Sequence, residues 1–181
     1  MKLYDGTFGC CWLIIALLGL AFLTACSSSH LQVFTTTTES QYNAWVPTMQ
    51  AGSESLTVDR LCKWMHDNME YEPGLYAFWP SKLSAWNQRT NCAGFTVVAA
   101  DCLRTLEYSD FQFLQVDTKF ATVTGKWHVI LFNKRYIISN SSWATNTTST
   151  PEELCAMFYA DWSKYYIYDI NRQLVKVVER P

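Results

Sequence analysis

A cysteine attacks a carbonyl carbon only where its thiolate is accessible and a base can take its proton. In this chain Cys92 and His128 are the side chains that fit those two roles. Cys92 stands in RTNCAGF (Arg89–Phe95), where a polar stretch stops and an apolar run, Phe95 to Ala100, begins. Thr90 or Asn91 can cap a helix over Cys92–Leu106, with Phe95, Ala99, Cys102, Leu103 and Leu106 as its buried stripe. Cys92 would then lie at the positive end of the helix dipole, among unpaired backbone N–H groups that favour a thiolate. The sequence has three histidines. His30 lies in a polar N-terminal stretch, and His66 lies beside Asp67 on the outer side of an expected helix. His128 lies on an expected strand, Gly125–Phe132, 36 residues after Cys92. A helix-start Cys facing a strand His forms the ion pair that activates cysteine hydrolases.

The base needs an orienting partner, and the hairpin after it offers two. If Asn133-Lys134-Arg135 is a three-residue loop, Phe132 pairs with Tyr136 and His128 lies opposite Asn140. Directly opposed side chains have Cβ atoms about 5 Å apart. If the loop is Asn133-Lys134 alone, Ser139 lies opposite instead. The amide oxygen makes Asn140 the better acceptor, so the expected catalytic set is Cys92, His128 and Asn140. The backbone N–H of Cys92 should supply one oxyanion donor. Gln88 and Trp64 are candidates for the second, with Asn87 and Trp86 beside them.

The elements that must position these residues follow from periodicity. Thr57–Met69 repeats apolar residues at helical spacing (Val58, Leu61, Cys62, Met65, Met69), with Thr57 as cap. Pro73-Gly74 marks a turn and Ser81–Asn87 a short helix after Pro80. Phe111–Val116 alternates like a strand, and Gly125–Phe132 with Tyr136–Asn140 forms a hairpin. Thr150-Pro151-Glu152-Glu153 is a helix start with cap, proline and early acids, for a helix to about Asp161. YYIYDI and QLVKVV form a last hairpin turning at Asn171-Arg172. There are no internal repeats. The order predicts an α+β fold, with N-terminal helices packed on an antiparallel sheet.

The 181 residues amount to one domain, 49% hydrophobic and 15% aromatic, with formal net charge −2. That charge gives no basic face for nucleic acid, and no nucleic-acid partner is expected. Most of the Trp and Tyr residues should be core, and some can line a peptide or glycan groove.

Phe8–Leu23 is an uncharged apolar run of 16 residues after Lys2, short for a membrane span and suited to a signal peptide. It ends in Leu23-Thr24-Ala25-Cys26, which resembles a bacterial lipobox. That resemblance implies cleavage before Cys26 and a diacylglycerol thioether on its thiol. Ser27 in place of Asp implies an outer-membrane anchor facing the periplasm. The expected organisation is a signal peptide over 1–25, lipidated Cys26 and a polar tether over 26–50, and a folded domain over 51–181.

Seven cysteines are present. Cys10 and Cys11 would leave with the signal peptide, and Cys26 would carry lipid. Cys62, Cys92, Cys102 and Cys155 remain, able to form three alternative pairings or one disulfide with two free thiols. Cys62 and Cys102 fall in apolar-periodic stretches and are expected to be small buried hydrophobes. No CxxC occurs and no His stands at zinc-ligand spacing, so no metal is expected.

The segments LCKWMHDNMEYEP, LSAWNQRTNCAGFTVVAADCLRTLEY and GKWHVILFNKRYIISN together resemble the transglutaminase-like branch of the papain-like superfamily. In that family a Cys begins a long helix, a following strand carries His, and its hairpin partner carries Asp. The resemblance covers roughly Thr57–Trp143. It implies a papain-like fold and a cysteine peptidase or amide acyltransferase that needs no metal or organic cofactor and acts on a peptide, a protein or a peptidoglycan stem. Two positions depart from the pattern. Asn140 replaces the usual Asp, and an amide holds an imidazolium less strongly than a carboxylate. Thr90 replaces the Gly two residues before the Cys. NCAGF and HVILFNKRYIISN are also similar to segments of NlpC/P60 peptidoglycan peptidases, without that family's longer Cys-to-His gap or its Gly-Asp pair before the His strand.

Overall fold

The computed structural model describes residues 38–73, 79–86, 89–118, 127–148 and 150–180. The 1–37 segment with Cys26, the turn residue Gly74, the oxyanion candidates Asn87 and Gln88, and the stretch before Trp127 lie outside the described residues. Contacts divide the chain into Met1–Gln41 and Tyr42–Pro181. Only residues 38–41 of the first unit are described, as helix. The second unit holds the helices and the sheet that carry Cys92 and His128.

That second unit opens with the end of a helix over 38–45 (α1) and a 3-10 turn, Val46–Met49. Tyr42, Trp45, Val46 and Met49 are buried in the main core. They fall within the stretch expected as tether. Their spacing is i, i+3, i+4, i+7, a helical stripe hidden beside the polar run that precedes it.

Helix α2 is Glu54–Asn68, capped by Ser53, whose hydroxyl accepts from Leu56 N–H. It starts one turn before the expected Thr57. Thr57 is interior instead: its hydroxyl donates to Ser53 O at 2.9 Å and accepts from Ala51 N–H at 3.0 Å. Two short strands, β1 (Glu70–Tyr71) and β2 (Arg89–Thr90), pair in parallel. They bracket α3 (Lys82–Ala85), which Ser81 caps. Then comes α4, Cys92–Thr105, whose residues from Cys92 to Ala100 are all buried.

The rest is a six-stranded antiparallel sheet in the order β6-β5-β4-β3-β7-β8. Its strands are β3 (Gln112–Thr118), β4 (Trp127–Phe132), β5 (Tyr136–Ser139), β6 (Ser142–Thr145), β7 (Trp162–Tyr168) and β8 (Leu174–Glu179). Helix α5 (Pro151–Phe158) joins β6 to β7 behind a capping box of Thr150 and Glu153. Strands β6, β1 and β2 go beyond the expected elements, being too short for alternation to show.

Alternation along the strands gives the sheet two buried faces. Phe113, Val129, Leu131 and Ile138 join the core of α2 and α4. Leu114, Val116, Ile130 and Ile137 join Leu154 and Cys155 of α5. The fold is therefore α+β, with helices packed on an antiparallel sheet, as the order of elements implies.

Helix α4 approaches its neighbours closely at Gly94. A Cβ built there would lie 1.7 Å from Thr90 Oγ1 and 3.1 Å from Ala85 Cβ. Glycine at that position lets α4 seat against β2 and α3, which fixes where its first residue, Cys92, can lie.

Candidate active site

Asn91 is the cap of α4, in extended conformation with φ −95°. Its Oδ1 accepts from Ala93 N–H at 3.1 Å and Gly94 N–H at 3.3 Å. Thus the cap engages two N–H groups at the helix start, and it shares that of Ala93 with the Cys92 thiol. Cys92 is 3% exposed. Burial pushes its thiol above the ordinary value, while the backbone N–H groups of Val129, Ala93 and Cys92 itself act in the opposite direction.

The Val129 contact locates the thiol. That amide belongs to the peptide linking Val129 to His128. The same strand residue is held a second time. Thr96, one turn into α4, places its hydroxyl 2.7 Å from Cys92 O and 3.2 Å from Val129 O. The start of α4 is thereby docked on β4 at His128–Val129.

His128 is paired with Val116 of β3 and shares the sheet face that packs on α5. Its ring centroid lies 5.2 Å from that of Phe158. Its Nε2 lies 2.8 Å from Ser139 Oγ. Burial pulls the imidazole down to about 4. Thus the structure brings Cys92 against the backbone beside His128, but no hydrogen bond among the described residues joins thiol and ring. Burial thus favours the neutral form of both groups and works against the expected ion pair.

The hairpin register differs from both expected alternatives. Phe132 pairs with Ile137, and Asn133 N–H donates to Tyr136 O at 2.9 Å, leaving Lys134-Arg135 as the loop. Asn133 sets this register. It is buried, and its Oδ1 accepts from Arg135 N–H at 2.8 Å and Tyr136 N–H at 2.7 Å. Its amide nitrogen donates to Glu54 and Asp110 at 3.2 Å, tying the hairpin to the start of α2. In this register the residue opposite His128 would be Ser141, and Ser139 is its diagonal neighbour on the same face, within reach of a side chain.

Asn140, the expected orienter, has a different place. Ser139 pairs with Ser142, so Asn140 and Ser141 form a two-residue turn. Asn140 has φ 51°, in the left-handed region that Asn tolerates better than most residues. Its Oδ1 is buried with no hydrogen-bond donor among the described residues. The residue type at 140 therefore answers to the turn, and the partner of His128 is Ser139.

Trp64 is part of a cluster of aromatic rings. It lies 4.4 Å from Trp45 and stacks on Trp86 at 6.0 Å with planes 10° apart. No contact among the described residues places its indole N–H beside Cys92. Two residues that no motif singles out do lie near the thiol. Burial first, and then the charge a Cys92 thiolate would carry, hold the phenols of Tyr71 and Tyr159 above their ordinary value. Tyr71 follows α2 and lies 6.4 Å from Phe95, centroid to centroid. Tyr159 ends α5. No spacing links either to Cys92, because packing alone brings them there.

All four described cysteines are free and buried. Burial raises Cys62 and Cys155 to about 12. Among them Cys92 alone stands at a helix start. Among the described residues no three of His, Cys, Asp and Glu gather as a metal site, and no helix is long and apolar enough to cross a membrane. No family model, curated protein or solved structure matches the chain.

Proposed function

We propose that this protein is a cysteine peptidase or amide acyltransferase of the transglutaminase-like, papain-like type, anchored by lipid on Cys26 and facing the periplasm. The observation that carries the reading is the docking of Cys92, at the start of α4, on the backbone beside His128, whose ring is held by Ser139. Cys92 is the nucleophile. As its sulfur adds to the amide carbon, its proton passes to His128 Nδ1, the ring nitrogen that Ser139 leaves free. Nε2–H then donates to Ser139 Oγ. The ring returns the proton to the leaving amine as the C–N bond breaks, giving a thioester that water or a second amine resolves. Because both groups rest uncharged, proton transfer accompanies attack instead of preceding it. The ring edge must turn toward the thiol for this step. The substrate is an amide in a peptide, a protein or a peptidoglycan stem.

The test is labelling by a thiol-reactive acyl probe. Cys92→Ala should abolish it and Cys62→Ala should not. Equal labelling of the Cys92→Ala protein sinks the reading.

A second reading has its own support. The nearly inaccessible thiol and the lack of a hydrogen bond between it and His128 suit a binding module that keeps the fold without the chemistry. It predicts no acyl-enzyme with any Cys present, while a peptide or peptidoglycan fragment still binds.

A further inference from the structure

A cavity of about 290 Å³ lies away from Cys92, on the far part of α4. It gathers cations from three elements: Lys82 of α3, Arg104 of α4 and Arg172 of the β7–β8 turn. Among the described residues that line it, the acid is Asp101. Both oxygens of that carboxylate are occupied. Arg104 Nη2 donates to Oδ1 at 2.8 Å, and Lys82 Nζ and Tyr42 OH donate to Oδ2 at 3.1 and 3.0 Å. Asp101 thus holds two cations in place while each keeps further N–H groups unspent. In a chain of net charge −2, this cavity carries an excess of positive charge.

Arg172 is positioned by backbone. Its φ is 66°, in the left-handed region. Asp169 Oδ1 fixes the turn by accepting from Asn171 N–H at 2.9 Å and Gln173 N–H at 2.8 Å. The guanidinium reaches across to Pro80 O at 3.4 Å. Val97, Ala100, Phe113 and Ile170 supply apolar wall beside the three cations.

We infer that this cavity binds a phosphomonoester with a small apolar body. Three cations supplied by three elements match the three free oxygens of such a group better than the two of a carboxylate. The apolar wall takes the organic part. The site is independent of the chemistry proposed at Cys92.

Thermal unfolding of the full chain tests this, with inorganic phosphate and phenyl phosphate titrated at constant ionic strength against chloride. Both should raise the midpoint saturably, and phenyl phosphate should bind at least about fivefold tighter. Arg172→Asn tolerates the left-handed φ and should weaken binding about tenfold without moving the unliganded midpoint. Arg104→Gln repeats the test from another element. Lys164→Gln, whose cation pairs with Glu179 instead, should bind as the wild type. A midpoint rise that chloride reproduces, or unaltered affinity in both arginine variants, overturns the site. Equal affinity for the two phosphates overturns the apolar body. Unchanged binding in Cys92→Ala is expected, so failure here and failure of the enzymatic reading are separable.

Discussion

The Nε2 of His128 is held at 2.8 Å by Ser139 Oγ, across two strands whose ladder closes before either residue. A hydroxyl fixes the direction of an imidazole but adds no charge to hold its proton. The ring therefore keeps the low value that burial gives it, about 4. Replacing Ser139 by Asp should put a carboxylate at the same ring and raise its pKa above about 6.5. Titration of the His128 ring protons by NMR checks this. Ser139→Ala should remove the hydrogen bond and slow acylation of Cys92 about tenfold, ~1.4 kcal/mol. Asn140→Gly should leave both properties unchanged, because residue 140 makes a turn that glycine also makes.

The low value of His128 has a consequence for stability, with a definite sign. In the unfolded chain the ring takes up a proton as pH falls through about 6.5, whereas in the folded protein it does so only near 4. Between those values the unfolded state binds more protons, so folding stability declines as pH falls across that window. Above about 6.5 the contribution vanishes, and below about 4 it stays constant. The full loss is about 3 kcal/mol at ~1.4 kcal/mol per pH unit. Urea unfolding at pH 7, 5.5 and 4.5 should show it in the wild type. His128→Gln should remove this part of the slope.

The fold is largely legible in the sequence because its long elements repeat apolar residues at their own periods. The run behind Cys92 and the Thr150-Pro151 start of α5 carry both stripe and cap, and both helices begin where those residues place them. Thr90 and Asn91 are both suitable caps by type, and the Asn91 Oδ1 decides between them. The register of the β4–β5 hairpin is not legible. It turns on Asn133, which reads as an ordinary loop residue until Glu54 and Asp110, distant in sequence, come to its amide. A shift of that size transfers the partner of His128 from Asn140 to Ser139. Tyr71 and Tyr159 are illegible for the same reason, since only tertiary packing brings them to the thiol.

Gly94 offers a test of how α4 is seated. In an unobstructed helix Gly→Ala stabilises by up to about 1 kcal/mol. Here the new Cβ meets Thr90 Oγ1 at 1.7 Å and Thr90 Cβ at 2.9 Å, and the second contact persists whichever way the hydroxyl turns, so β2 and α4 must shift. We expect Gly94→Ala to destabilise by about 2 kcal/mol, read as a lower midpoint in urea. The double variant Gly94→Ala with Thr90→Gly should recover most of that loss. A stabilised single variant would show that α4 does not press on β2 as described.

The reactivity of Cys92 separates a neutral thiol from an ion-paired one. An ion pair with His128 would keep the sulfur as thiolate across the acid range, and alkylation by iodoacetamide would hold a plateau from about pH 5 upward. The structure instead shows a thiol raised by burial, with backbone N–H groups of Val129, Ala93 and Cys92 opposing that rise. Alkylation of Cys92 should therefore climb with pH, with no acid plateau and a midpoint above the ordinary thiol value. Cys62 and Cys155, which burial raises to about 12, should lag behind it at every pH below that value. Mass spectrometry of the alkylated peptides at a series of pH values distinguishes the sites in one experiment. A plateau at about pH 5 to 7 for Cys92 would mean that thiol and ring approach more closely in solution and exchange the proton before substrate arrives. Asn91→Ala frees the Ala93 and Gly94 N–H groups from the cap but costs about 1 kcal/mol of helix stability. In that variant the midpoint for Cys92 should move down, since Ala93 N–H, already beside the sulfur, is no longer shared with the Asn91 oxygen.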